Sequence, residues 1–264
     1  MERIDLTKPP TQAMTLLIYG QPGIGKSTVC AMLAAAAEQA GEGATLLDSE
    51  RGLLPAAVSA GLRNSELLAA SGQGSAFEVY KRLQQLITQP QGLVVLDTVT
   101  ETSESILRDL ASDSGAVQIQ AYGEQKHRLA RIVRSLRDAA GAGTCAVATA
   151  QQDAQDIEGL PGNWHPAVRK SMVTDLVSQF DCVARLRQVQ DHEAEALKLE
   201  AGTRYLDFRP THQQVAKCRT AGELFPGRTT QWHIYPLRNQ DDATQLYAAL
   251  KRRAAQNEGG KQNV

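Results

Sequence analysis

No two of the four cysteines, Cys30, Cys145, Cys182 and Cys218, form a C-x-x-C pair, and no histidine cluster accompanies them. That spacing argues against a structural zinc site or a disulfide framework and leaves buried thiols as the reading. Positive charge is not in excess either. The chain carries 28 Lys and Arg against 29 Asp and Glu, a formal net charge of −1. A protein that grips duplex DNA over its whole surface is more basic, so any nucleic-acid contact must come from a local patch. Long apolar runs are missing. The run Ala31–Ala37 is far too short to cross a bilayer. The opening "MERIDLTKPPTQ" is polar where a secretory signal would be apolar. Together these absences predict a soluble, cytoplasmic chain with no membrane partner. No internal repeat and no Asn/Thr-Lys-x-Asp guanine signature is present, and the second absence favours ATP over GTP.

What is present is an ordinary globular composition, 42% apolar and 22% charged over 264 residues. A chain of this size buries about three quarters of its unfolded surface without staples. Residues 1–13 read as a flexible lead, with Pro9 and Pro10 blocking regular structure. Residues 14–256 read as one domain and 257–264 as a disordered tail. "MTLLIYG" (14–20), "ATLLD" (44–48), "LVVLD" (93–97) and "TCAVATA" (144–150) are apolar runs expected as strands buried on both faces. "SELLAAS" (65–71) is a further short strand. Helices are expected over 26–40, 75–88, 103–112 and 119–139. This alternation predicts an α/β fold with a mostly parallel sheet flanked by helices. After a polar loop at 151–171, the segments 182–189, 194–200 and 203–210 alternate like strands, with Gly202 at a turn. They are expected as antiparallel additions to the sheet edge, in an extension spanning about 180–236. A closing helix at 241–256 has Asp at its cap and Lys and Arg near its end.

Between the first strand and first helix lies "GQPGIGKST", which satisfies G-x-x-x-x-G-K-[ST]. Gly20, Gln21, Pro22, Gly23, Ile24 and Gly25 form a loop whose backbone N–H groups can turn inward around a phosphate. The helix N-terminus behind it adds partial positive charge. Lys26 is expected at the β- and γ-phosphates, the Ser27 hydroxyl at Mg²⁺, and Thr28 near the α-phosphate. The cofactors are thus ATP and Mg²⁺. Asp97 closes "LVVLD" as a Walker-B acid beside the metal. Two carboxylates are candidates to activate water, Glu50 in "LLDSERGL" and Glu101 four residues after Asp97. Glu50 reaches the strands' carboxyl ends if the second strand lies beside the phosphate-loop strand.

"LIYGQPGIGKST", "LLDSERGL", "VVLDTVTE", "QAYGEQKHRLARIVRSLRD", "CAVATAQQD" and "VAKCRTAGELFP" occur in that order. The set resembles the phage-type nucleotide-binding ATPases of the RecA-like class, over roughly residues 14–226. Some members of that class are single-domain recombinases that assist strand annealing. The resemblance implies a RecA-like P-loop NTPase that hydrolyses ATP, is stimulated by DNA, and serves recombination, annealing or repair. It implies single-stranded DNA as partner, self-association into a ring or filament, and a single-strand-binding or annealing protein as companion. It assigns water activation to Glu50 rather than Glu101. It makes Gln151 the γ-phosphate sensor, with Gln152 the alternative one residue on. Lys217 and Arg219 in "AKCR" match basic residues that reach a neighbouring subunit's nucleotide, although Cys218 stands where the class often has an acid.

DNA-contacting loops are expected at about 101–119 and 152–170. The second holds Trp164, Arg169 and Lys170, an aromatic platform with nearby cations. A second basic patch, with Arg128 and Arg131 at its centre, runs along the 119–139 helix from Lys126 to Arg137. Rival readings are a helicase or packaging-type motor subunit and a nucleotide or small-molecule kinase.

Overall fold

The computed structural model describes residues 13–111, 117–154, 164–219 and 234–255. The expected N-terminal lead before residue 13, the C-terminal tail, and the segments 112–116, 155–163 and 220–233 lie outside the described residues.

The four apolar runs form β1 (Thr15–Gly20), β2 (Ala44–Asp48), β4 (Leu93–Asp97) and β5 (Cys145–Ala154). Glu66–Ala69 adds β3. These strands run parallel in the spatial order β3-β2-β4-β5-β1. Beyond β1 follow β7 (Cys182–Gln188), β8 (Arg204–Asp207) and β10 (Ile234–Leu237). Two short strands, β6 (Trp164–Pro166) on β5 and β9 (Lys217–Cys218) on β7, lie off this path.

The pleat divides the core in two. Leu16 and Ile18 of β1 join one apolar cluster with Leu46, Val95 and Val147. Leu17 and Tyr19 join another with Leu47, Val94, Leu96 and Ala148. Side chains alternate across a strand, so a run that is apolar at every position must be covered on both faces. Helix α1 (Lys26–Gln39) and the closing α8 (Gln240–Ala255) cover the first face. The second is covered by α3 (Ser75–Thr88), the 23-residue α5 (Ile119–Gly141) and α6 (Lys170–Gln179). Helix α1 is buried nearly all round, which explains its alanine run Ala34–Ala37: small side chains let α8 and the sheet approach together. The short α2 (Leu53–Ser59) and α4 (Val99–Asp109) complete the layers. This is an α/β fold, mostly parallel, with antiparallel strands at its C-terminal edge.

Three expectations need correction. The stretch 194–200 is not a strand: Asp191–Glu193 is a 3-10 turn leading into the helical turn α7 (Ala194–Leu197). Its Ala, Glu and Leu residues are strong helix formers, and that preference overrides a short alternation. Strand β7 pairs parallel with β1, so only β8, β9 and β10 are antiparallel additions. The α6 crossover returns the chain in the same direction. The closing helix is capped by Asn239, whose Oδ1 accepts from the Asp242 N–H at 3.1 Å, while the Asp242 carboxylate accepts from the Arg238 N–H at 2.8 Å.

Candidate active site

The loop from Gly20 to Gly25 joins the end of β1 to α1 at the carboxyl end of the parallel strands. Its lip, Gln21 to Gly23, is exposed, whereas Lys26 is buried beneath it. Gly25 is the residue before α1 and has φ 102, a left-handed conformation natural only to glycine. A Cβ there would lie 2.9 Å from Arg204 Nε, but that guanidinium ends a flexible exposed side chain that can move, so it is the backbone shape that demands glycine.

Lys26 Nζ donates to the carbonyls of Gly20 and Gln21, each at 3.1 Å, and to Gln151 Oε1 at 3.2 Å. Burial lowers its pKa, against the opposing pull of the Asp97 and Glu50 charges. Ser27 Oγ donates to Asp97 Oδ2 at 2.7 Å, and Thr149 Oγ1 donates to the other carboxylate oxygen. Burial raises the Asp97 pKa, and those two hydroxyls pull it back. Asp97 is the last residue of β4, level with Asp48 at the end of β2. Asp48 acts differently, since its oxygens accept from the Gly52 and Leu53 N–H groups at 3.1 and 2.9 Å, capping α2.

The second strand does not lie beside β1, as the Glu50 argument required; β5 and β4 stand between them. Glu50 still arrives at the site. Its Oε1 accepts from Thr98 Oγ1 at 2.9 Å, and Gln151 Nε2 donates to both its oxygens at 3.1 and 3.2 Å. The route runs through β4: Ser49 N–H donates to the Asp97 carbonyl at 2.7 Å, turning the chain after β2 toward the site. Glu101 sits in the first turn of α4 and pairs with Arg108. Lys26, Gln151 and Glu50 thus form one hydrogen-bonded chain across the ends of three strands. Gln152 points elsewhere, its Oε1 accepting from Arg185 Nε at 2.8 Å.

The donor set suits Mg²⁺. No group of three or more His, Cys, Asp or Glu able to hold a metal occurs among the described residues. A hydroxyl beside a buried carboxylate fits a hard cation that keeps its waters and takes other ligands from phosphates.

The profile of the AAA domain family, AAA_24, matches residues 12–220. The chain belongs to that family. No curated protein matches this AAA domain. Among solved structures it is similar to an ATPase domain, with a TM-score of 0.50 at 13% identity, over 88% of this chain and 83% of that one. At such identity the likeness speaks to the fold, which is that of a RecA-like P-loop ATPase.

The remaining sequence candidates of this AAA domain lie away from the loop. Lys217 is in β9, opposite Val183, which is in turn level with Leu17 near the start of β1. Its Nζ donates to the Val177 and Ser178 carbonyls at 3.0 and 3.3 Å, at the C-terminal end of α6. Burial, with Arg219 nearby, pushes its pKa down to about 8. Arg219 reaches the Ser178 carbonyl at 3.5 Å. Neither cation completes the chain's own cradle. Trp164 is partly buried against the sheet, with the Arg185 guanidinium 4.6 Å from its ring centre. Arg169 lies 3.7 Å over the Tyr122 ring, and Lys170 opens α6, exposed. Arg128 pairs with Glu124 at 2.7 Å, and Arg131 stacks on Tyr80 at 4.6 Å.

Sequence reasoning missed Thr98, Thr149 and Arg204. Thr149 is an ordinary strand residue, and Thr98 is the N-cap of α4, its Oγ1 accepting from the Glu101 N–H. Thr149 meets Asp97 only because β4 and β5 pair with Leu96 level with Ala148. Arg204 enters through β8, whose position no motif marks.

Proposed function

We propose that this AAA domain is a Mg²⁺-dependent ATP hydrolase that binds single-stranded DNA and serves recombination, strand annealing or repair. The observation that carries the reading is the chain Lys26–Gln151–Glu50, which ties a phosphate-binding ammonium to a carboxylate through a strand-end amide. In the ATP complex the backbone N–H groups of Gly23 to Gly25 hold the β-phosphate and Lys26 pairs with the β- and γ-oxygens. Ser27 and Asp97 would hold Mg²⁺, which neutralises charge building on the phosphates. Glu50, held by Thr98, orients the attacking water and accepts its proton. Gln151 leaves Lys26 and Glu50 to contact the γ-phosphate. Because it lies on β5, which pairs antiparallel with β6 so that Ala154 is level with Trp164, its state is transmitted to Trp164 and the start of α6. There Trp164, Arg169 and Lys170, with Arg128 and Arg131 on α5, supply stacking and charge for a single strand. Lys217 and Arg219 act on a neighbouring copy's nucleotide in a ring or filament, which accounts for their distance from their own cradle. A companion single-strand-binding or annealing protein completes the setting.

The deciding measurement is phosphate release by the full chain with ATP and Mg²⁺, with and without a single-stranded oligonucleotide. Hydrolysis that rises with DNA is expected. Hydrolysis indifferent to DNA, together with no oligonucleotide binding at low salt, would leave an ATPase without the DNA role.

A further inference from the structure

The catalytic groups all stand on one flank of β1. Gln151, Asp97 and Glu50 come from β5, β4 and the end of β2, on one side of the phosphate-loop strand. If hydrolysis happens there, the γ-phosphate lies on that flank, and the rest of the nucleotide must leave the loop toward β7 and β8. On that flank, at the same end of the sheet, is a cation that nothing above employs. Arg204 begins β8, level with Gln188 of β7 and Leu237 of β10. Its guanidinium lies against Gly25, with Nε 2.9 Å and Cζ 3.0 Å from where a Cβ would stand. The residue is exposed, and among the described residues no ion pair or hydrogen bond holds its guanidinium. Beyond it opens a cavity of about 670 Å³, whose wall includes Gln188, Thr203, Leu237 and Arg238. The hollow is open to solvent and mostly polar in its lining.

A guanidinium placed between a phosphate cradle and an open cavity has a specific competence. It forms charge-assisted hydrogen bonds to a phosphate oxygen on one side and offers a flat face for a sugar or base on the other. We propose that Arg204 is a nucleotide-binding residue supplied in cis, contacting the α-phosphate, with the nucleoside seated in the cavity behind it. This rests on the nucleotide reading of the loop and adds the direction in which the nucleotide lies. Lys217 and Arg219 would serve another copy's γ-phosphate, whereas Arg204 serves its own chain's nucleotide at the opposite end.

The test is calorimetric binding of ATP, ADP and inorganic tripolyphosphate, each with Mg²⁺, to the full-length wild type, Arg204→Ala, Arg204→Lys and Lys26→Ala. A contact at the α-phosphate predicts that Arg204→Ala weakens ATP and ADP by the same factor, about tenfold. Tripolyphosphate, which carries a phosphate at the α position but no nucleoside, should bind more weakly as well. Arg204→Lys should recover part of the ADP affinity, and Lys26→Ala should weaken all three ligands. Unchanged ATP and ADP affinity in Arg204→Ala overturns the inference and leaves the loop's role intact. A loss that spares ADP also overturns it, by moving the contact to the γ-phosphate, and a loss that spares tripolyphosphate overturns the α-phosphate contact. A wild type that binds none of the three sinks the nucleotide reading itself.

Discussion

Gln151 donates its side-chain amide to Glu50 at 3.1 Å, although the two residues are 101 positions apart and their strands, β5 and β2, are separated by β4. The same amide group accepts from Lys26. A single side chain therefore ties the buried Lys26 ammonium to the Glu50 carboxylate.

Glu50→Gln keeps the shape and the Thr98 contact but removes the base. ATP should still bind, and phosphate release should fall by about a hundredfold or more. Glu101→Gln should change turnover little, because Glu101 is committed to Arg108. Single-turnover hydrolysis of both variants checks the assignment; a slow Glu101→Gln beside a normal Glu50→Gln reverses it.

Gln151→Ala and Gln152→Ala separate the two sensor candidates. Loss of Gln151 should reduce hydrolysis and uncouple it from oligonucleotide. Loss of Gln152 frees Arg185, which covers Trp164, so it should alter tryptophan emission while sparing basal hydrolysis. Emission is read in a Trp232→Phe background so that Trp164 reports alone.

Gly25→Ala and Gly123→Ala should have opposite signs. Gly25 is left-handed at φ 102, where an L-residue costs about 1–2 kcal/mol. Lower thermal stability and lost ATP binding are expected. Gly123 lies within α5 with open space around its Cα, and alanine there should stabilise by about 0.5–1 kcal/mol. Thermal unfolding of both proteins measures the contrast.

Lys217 supplies a pH signature. Its pKa falls from 10.5 in the unfolded chain to about 8 in the fold, so between those values the unfolded chain binds more protons. Stability from this group therefore rises with pH across that window and is lowest below it. The wild type should gain stability relative to Lys217→Met as pH climbs from about 8 to 10.5. The lysine is only half-buried, so solvent screening keeps the gain small. Urea unfolding at several pH values, in both proteins, tests the sign.

Much of the site was legible in the chain because its parts are local. The cradle is nine consecutive residues between an apolar run and an alanine-rich helix. Asp97 follows its own strand directly. Local geometry fixes such groups wherever the strand happens to lie in the sheet. The stretch 194–200 misled because its alternation is short: its Ala194, Leu197 and Leu199 pack against Val189, Tyr205 and Ile234 from a helical turn, and strong helix formers decide its backbone.

The sequence by itself determined the α/β class, the glycine-rich turn before α1, the acid that ends β4 and the doubly covered strands, since each depends on side-chain period or backbone freedom over a few residues. Strand order was decided only by tertiary structure. It depends on which crossovers the helices make, a non-local choice that no short segment encodes. That order inserts β5 between β1 and β4, brings Thr149 to Asp97, carries Gln151 to Glu50, and lays Arg204 against Gly25.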